Sequence, residues 1–240
     1  MPTFETAFLR GEELAEGTMA FHFARPAGFD FQAGQSINLE LVDPPETDAK
    51  GNRRTFSVAS APFENEIMIA TRMRDTAFKR VLKRMPADTR VRVRGPNGRF
   101  TLDPADARPA VLVGGGIGIT PFLSIVRQSE KDALRRKLCL VYSNRRPEDA
   151  AFLPELVALE GKNPNYRFFG TMTEMEKSAM PWKGERGFLD RAMLERAVGD
   201  LLAPTYYLAG PPGMVEALKK MVLEAGVPED RIRTDEFFGY

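Results

Sequence analysis

The chain has 240 residues, of which 43% are hydrophobic and 28% charged, with a formal net charge of +1. That length suits one large or two ordinary domains with a packed core, and near-neutral charge gives no global field for nucleic acid or an anionic membrane. The single cysteine, Cys139, and single histidine, His22, exclude an internal disulfide, a four-cysteine iron–sulfur cluster and a Cys–His zinc or catalytic site.

In chain order, the opening MPTFETAFLRGEELAEG lacks a basic, apolar leader. No apolar run reaches the length of a membrane span, so a cytoplasmic location is expected. The first hundred residues then read as short strands parted by turn chemistry. Thr18–Ala24 and Ser36–Leu41 alternate, and are stopped by Arg25-Pro26-Ala27-Gly28 and Asp43-Pro44-Pro45. Arg54–Ser60, Glu66–Arg72 and Arg90–Arg94 supply further strands, the last with one apolar and one charged face. Thr76–Arg84 suits a short helix carrying Phe78, Val81 and Leu82. Strands at this spacing suggest a six-stranded, closed or nearly closed antiparallel β-barrel.

Asp103–Pro109, with two prolines and no periodicity, marks the boundary between domains at 1–104 and 105–240. Beyond it, Ala110–Val113 is a wholly apolar strand running into glycines and a helix. Strands at Lys137–Tyr142, Tyr166–Phe169 and Thr205–Ala209 alternate with helices at Asp149–Glu160, Asp190–Val198 and Met214–Ala225. This alternation gives an α/β domain with a parallel sheet. Cys139 is expected to be inert core and His22 a satisfied strand residue. Trp182, Met172, Met175 and Met180 are read as one structural loop without function.

The strongest chemical signal is the turn Val113-Gly114-Gly115-Gly116-Ile117-Gly118-Ile119-Thr120-Pro121, set between a strand and a helix. Glycines there let the backbone approach a pyrophosphate, which meets free N–H groups at the helix start. The spacing is not that of the G-x-G-x-x-G fingerprint, and the acid expected about twenty residues later is missing. At the end of the second parallel strand stands Tyr142-Ser143-Asn144-Arg145-Arg146, with no acid before Glu148. Ser143 and Arg145 could receive a 2′-phosphate there, so NADPH is expected to serve at least as well as NADH.

Together with Arg54-Thr55-Phe56-Ser57, Gly210-Pro211-Pro212-Gly213-Met214 and the Gly95–Phe100 turn, this segment resembles the ferredoxin–NADP reductase family in order, spacing and context. The resemblance implies an N-terminal flavin-binding barrel and a C-terminal NAD(P)-binding domain. It pairs Arg54 with the flavin phosphate, places Phe56 beside the ring where relatives carry tyrosine, and sets Ser57 near flavin N5. Thr55 shares that strand. Thr71, Arg72 and Thr76 fall on the second flavin segment, without the glycines usual there. Gly114, Gly115, Gly116, Gly118, Thr120 and Pro121, with Gly210 and Pro211, would hold the nicotinamide nucleotide. Ala209 replaces a cysteine common in relatives. Near the C-terminus, Glu236 matches a family acid, and Phe238 aligns with an aromatic that stacks on the flavin. Tyr240 is an alternative lid, and Ser57, Glu236 and Tyr240 form the expected catalytic set.

The implied function is a flavoprotein reductase that binds FAD rather than FMN and takes hydride from NADPH or NADH. Electrons would then pass singly to a separate acidic carrier, ferredoxin or flavodoxin. Arg74, Lys79, Arg80, Lys83 and Arg84 are the expected docking patch, because Arg72–Arg99 holds ten Lys/Arg against two Asp. Free flavin, ferric chelate, quinone, or a haem or oxygenase partner are alternative acceptors. A non-catalytic flavin- and nucleotide-binding regulatory subunit is the alternative of another class.

Overall fold

Alternating sequence dictates the first layer: in Arg90-Val-Arg-Val-Arg94 both valines are fully buried, while the arginines turn toward solvent. The computed structural model describes residues 1–238. Its first half comprises strands β1 (Thr3–Ala15), β2 (Thr18–Ala24), β3 (Ser36–Leu41), β4 (Arg53–Ser57), β5 (Glu66–Arg72) and β6 (Arg90–Asn97). They pair in the order β4-β3-β6-β1-β2-β5, antiparallel throughout. The sheet curls until its edge strands β4 and β5 touch. Its interior is filled by Phe8, Phe21, Phe23, Ile37, Leu39, Ile67 and Ile69.

One strand, β1, goes unread in the sequence. Its side chains are largely exposed and show no alternation. The backbone makes it a strand: Thr3–Ala7 ladders with β6, and Phe8–Ala15 with β2 across two irregularities in register. His22 on β2 is buried and lies 2.9 Å from both Glu12 and Glu66. Helix α1 (Ala77–Arg84) drives Phe78 and Leu82 into the barrel. Thr76 caps it, its hydroxyl accepting the Lys79 backbone N–H at 3.3 Å.

The second half holds β7 (Ala110–Gly115), α2 (Thr120–Lys131), β8 (Leu138–Asn144), α3 (Leu153–Glu160), β9 (Tyr166–Met172), β10 (Glu185–Arg186), α4 (Arg191–Val198), β11 (Thr205–Gly210), α5 (Pro212–Glu224) and β12 (Ile232–Glu236). The sheet is parallel, ordered β10-β9-β8-β7-β11-β12. Chain order reverses between β7 and β11, which makes their C-terminal ends a ligand crevice. Two strands escape the sequence pattern: β10 is only two residues long, and β12 is mostly exposed. Met172, expected in a loop, is instead the buried last residue of β9, because that strand runs three residues past Phe169. Among the described residues, no helix is long and apolar enough to cross a membrane.

The halves share one hydrophobic core, in which Ala20, Ala59, Met68 and Ala70 of the first meet Phe122, Leu123 and Ile125 of the second. Polar contacts reinforce the seam: Ser124 donates to the Ser60 carbonyl at 2.7 Å, and Arg127 lies 3.2 Å from Glu64.

The glycine turn after β7 is packed as tightly as the core. A Cβ on Gly118 would lie 2.4 Å from the Ala209 carbonyl oxygen and 2.7 Å from Gly210 Cα, both backbone atoms that cannot swing aside. Gly118→Ala should therefore lower stability by about 1–3 kcal/mol through overpacking. Gly213→Ala, with nothing within 4 Å of the added carbon, should be neutral or mildly stabilising. Chemical denaturation of both variants checks this, and equal stability of the two would contradict it.

Candidate functional site

Two cavities lie side by side where the barrel meets the C-terminal ends of the parallel strands. The first, about 620 Å3, is bounded by β4, the end of β5, the start of α1 and the end of β12. Arg54, Thr55, Phe56 and Ser57 supply one wall, and Thr71, Arg72 and Thr76 the next. Glu236 and Phe238 face them from β12 and the residues beyond it. Phe56 stands 6.0 Å from the buried ring of Phe78, and the Arg54 guanidinium lies over that same ring at 5.1 Å. Arg54 also ties down the preceding loop, donating to Asp48 at 2.8 Å and to the carbonyls of Lys50 and Gly51 at 2.9 Å each.

Charge is segregated in this cavity. Lys50, Arg54, Arg72, Arg74 and Lys79 line the barrel side, where Asp48 is the one carboxylate, while Asp235 and Glu236 come from β12. Burial raises the Asp235 carboxyl above its ordinary range. Burial also lowers the Lys79 ammonium, to about 8, with Arg74 and Arg54 adding repulsion. Such a basic end suits an anion, and an aromatic side chain with a hydroxyl next to it suits a planar heteroaromatic ring. The residues fit a flavin carrying phosphate.

The second cavity, about 720 Å3, sits at the reversal point of the parallel sheet. Gly115, Gly116, Ser143, Arg145 and Pro211 line it, and Arg72 and Arg74 form a wall shared with the first. Gly116 takes φ +52°, a left-handed conformation that glycine adopts at little cost. A Cβ on Gly115 would lie 2.2 Å from Met214 Sδ, so that flexible side chain would have to swing aside. The buried Asn144 amide nitrogen in this wall has no hydrogen-bond partner among the described residues.

Other expected nucleotide residues serve the turn's packing and do not line either cavity. Gly114 packs on Phe122, Gly118 on Ala209, and Gly210 on Gly115. Thr120 and Pro121 are buried at the start of α2, and the Thr120 hydroxyl donates to the Ile117 carbonyl at 3.0 Å. Tyr240 lies outside the described residues. Sequence reasoning missed Phe188, which is 84% exposed at the rim of the nucleotide cavity. Its place just before the Asp190 cap of α4 is what a packed helix-entry residue would also show.

The basic segment divides differently from its reading as one surface patch. Lys79 and Arg74 line the flavin-side cavity. Arg80 is paired with Glu46 at 2.7 Å and with Asp75. Glu46 is 34 residues away in sequence, so charge counting along the chain does not register that neutralisation. Lys83 and Arg84 remain exposed.

Asp149 joins the two halves. Its carboxylate accepts from Arg72 at 3.2 Å and from Arg146 at 2.9 Å, and lies 3.6 Å from Arg145. These cations hold it below the usual carboxylate range in spite of its burial. Glu148 faces away, accepting from the Ser178 hydroxyl at 2.8 Å and from the Ala179 N–H at 2.8 Å.

Comparison with known proteins agrees with this architecture. Residues 112–220 match the oxidoreductase NAD-binding domain. The chain is 29% identical over 228 residues to ferredoxin–NADP reductase B of Sorangium cellulosum, covering 91% of this chain and 90% of that protein. It is 28% identical over 224 residues to the glycine betaine monooxygenase reductase subunit of Chromohalobacter salexigens, covering 92% of this chain but only 60% of the relative. A ferredoxin NADP+ reductase from Neisseria gonorrhoeae, solved with bound FAD and NADP, shares the fold with a TM-score of 0.83 at 22% identity, over 98% of this chain and 99% of that one. With its antiparallel barrel, parallel sheet and matched NAD-binding domain, the chain is similar in sequence and fold to the ferredoxin–NADP reductase-like flavin- and NAD(P)-binding oxidoreductases.

Proposed function

We propose that this chain binds FAD in the barrel-side cavity and NADPH or NADH in the adjoining one, and passes electrons from the nucleotide to a separate one-electron carrier. The observation that carries this reading is the common wall: Arg72 and Arg74 line both cavities, so two ligands would meet there. Bound flavin would accept a hydride at N5 and release its electrons singly. The protein's own residues would orient and enclose the ligands. Phe56 offers aromatic surface for the ring, and the Ser57 hydroxyl lies on the same wall. Arg54 supplies a guanidinium for phosphate, held in place by Asp48. Glu236 at the end of β12 and Phe238 just beyond it line the opposite side of the cavity. FAD is favoured over FMN because the cavity lining continues past Arg54 onto Asp48, Ala49 and Lys50 of the preceding loop as well as the start of α1.

In the nucleotide cavity, the acid that would mark an NADH-selective ribose site is not available. Glu148 is occupied by residues 178–180, and Asp149 by arginines. Arg145, half exposed at the rim and 3.6 Å from Asp149, would turn outward to reach a 2′-phosphate. Phe188 offers a face on which an adenine could stack.

For the acceptor, an acidic ferredoxin or flavodoxin is the first reading. It rests on the similarity to the Sorangium reductase, on exposed Arg74 at the cavities, and on exposed Lys83 and Arg84 at the end of α1. An oxygenase component is the second, favoured by the similarity to the glycine betaine monooxygenase reductase subunit.

Three outcomes are expected. Arg54→Ala should weaken FAD binding ten- to hundredfold, the loss of a charge-assisted contact of about 1.5–3 kcal/mol. Unchanged affinity in a titration of the apoprotein would reject the flavin assignment of this strand. Arg145→Ala should lower kcat/KM for NADPH by about tenfold or more while leaving NADH within about twofold, since the charge-assisted bond exists only with the 2′-phosphate. Equal losses for both nucleotides would contradict it. Carrier reduction should slow steeply between low and moderate ionic strength, while reduction of a small neutral quinone stays constant. A matching fall with the quinone would remove the docking role from the patch.

A further inference from the structure

Within the basic wall, one side chain is placed at a cost that no anion among the described residues offsets. Lys79 follows Phe78 on α1, and its ammonium is drawn back over the cavity, donating to the Arg72 carbonyl at 2.6 Å. The charged groups around the cavity are Asp48 and Lys50 of the β3–β4 loop, Arg54 of β4, Arg72 and Arg74 at the end of β5, and Asp235 and Glu236 of β12. Asp48 is already engaged by Arg54 at 2.8 Å and by the Lys50 N–H at 2.9 Å. The neighbouring Arg80 takes Glu46 and Asp75. Among the described residues, neither Lys79 nor Arg74 has a carboxylate partner, so a partly buried ammonium faces guanidinium groups with no anion to balance it. A ligand anion would supply that balance.

We propose that Lys79 binds the phosphate of the flavin and makes this protein select a phosphorylated flavin over riboflavin. The inference rests on the flavin reading above. It assigns Lys79 to the cofactor and not to a docking partner, and it gives the start of α1 a phosphate ligand in a segment without glycines.

A pH dependence follows. In the free protein the Lys79 ammonium titrates at about 8. A bound phosphate stabilises the charged form and raises that value. Affinity for FAD is therefore full below about pH 8 and falls as pH rises through it, because binding must then take up a proton. Between about pH 7 and pH 9, FAD affinity should fall roughly tenfold by this linkage. The FAD diphosphate keeps its charge over that range and contributes nothing to the slope.

The experiment is fluorescence titration of the full-length apoprotein with FAD, FMN and riboflavin at both pH values, for the wild type, Lys79→Met and Lys79→Arg. Lys79→Met should bind FAD ten- to hundredfold more weakly at the lower pH and lose the pH dependence, with riboflavin affinity unchanged. Unchanged riboflavin binding also reports that the variant is folded. Lys79→Arg should keep FAD affinity with a flat pH profile, since guanidinium does not titrate there. Lys79→Met binding FAD as tightly as the wild type, or losing riboflavin and FAD equally, would overturn the role of Lys79 and leave the flavin reading standing. A wild-type protein that binds none of the three would overturn the flavin reading itself.

Discussion

Asp149 is almost wholly shielded from water, and guanidinium groups from both halves of the chain hold its carboxylate: Arg72 from the barrel, Arg146 and Arg145 from the parallel domain. Arg146 reaches on to Glu16, and the Glu16 N–H donates to the Glu148 carbonyl at 2.8 Å. Removing the shared carboxylate would leave Arg72 without an anion at the seam, whereas loss of any one arginine leaves Asp149 with two others. The cluster sets the position of Arg72, which lines both cavities, and so the relative position of the two ligand sites. Direct transfer between two bound ligands depends on near-contact geometry, where displacement by an ångström already slows reaction. On our reading, a rigid seam is what lets a protein with few catalytic side chains place one redox group against another.

The second constraint is electrostatic. Cations are gathered on the barrel side of the cleft beyond what local acids balance, while the acids of β12 stand opposite. A folded chain carries such an arrangement at a cost, since like charges in a partly desolvated cavity repel. A bound phosphate would relieve it. The same reasoning separates Arg80 from Lys79 next to it: among the described residues, Arg80 has carboxylate partners and Lys79 has none.

Much of this was legible in the sequence, and the residues missed share a cause. Thr18–Ala24, Ser36–Leu41 and Glu66–Arg72 carry their own pattern, and appear as strands with those bounds. The strands β1, β10 and β12 carry none, because they exist through backbone pairing with partners supplied by distant chain, or are too short to show a period. At the site, motif residues Arg54, Phe56, Ser57, Gly115 and Arg145 all reach a cavity. Lys79 and Phe188 had no motif to mark them. Their significance comes from what they lack among the described residues: an anion for Lys79 and a covering side chain for Phe188. Glu46 neutralising Arg80, and the arginines claiming Asp149, are likewise contacts that linear charge counting does not reveal.

The central claim is that nucleotide and flavin meet across the wall formed by Arg72 and Arg74. Rapid mixing of the FAD-loaded chain with NADPH under anaerobic conditions, with no acceptor present, tests it most directly. The account predicts that the oxidised flavin absorbance bleaches in a single turnover. A spectrum that stays oxidised while the chain holds both ligands would contradict it.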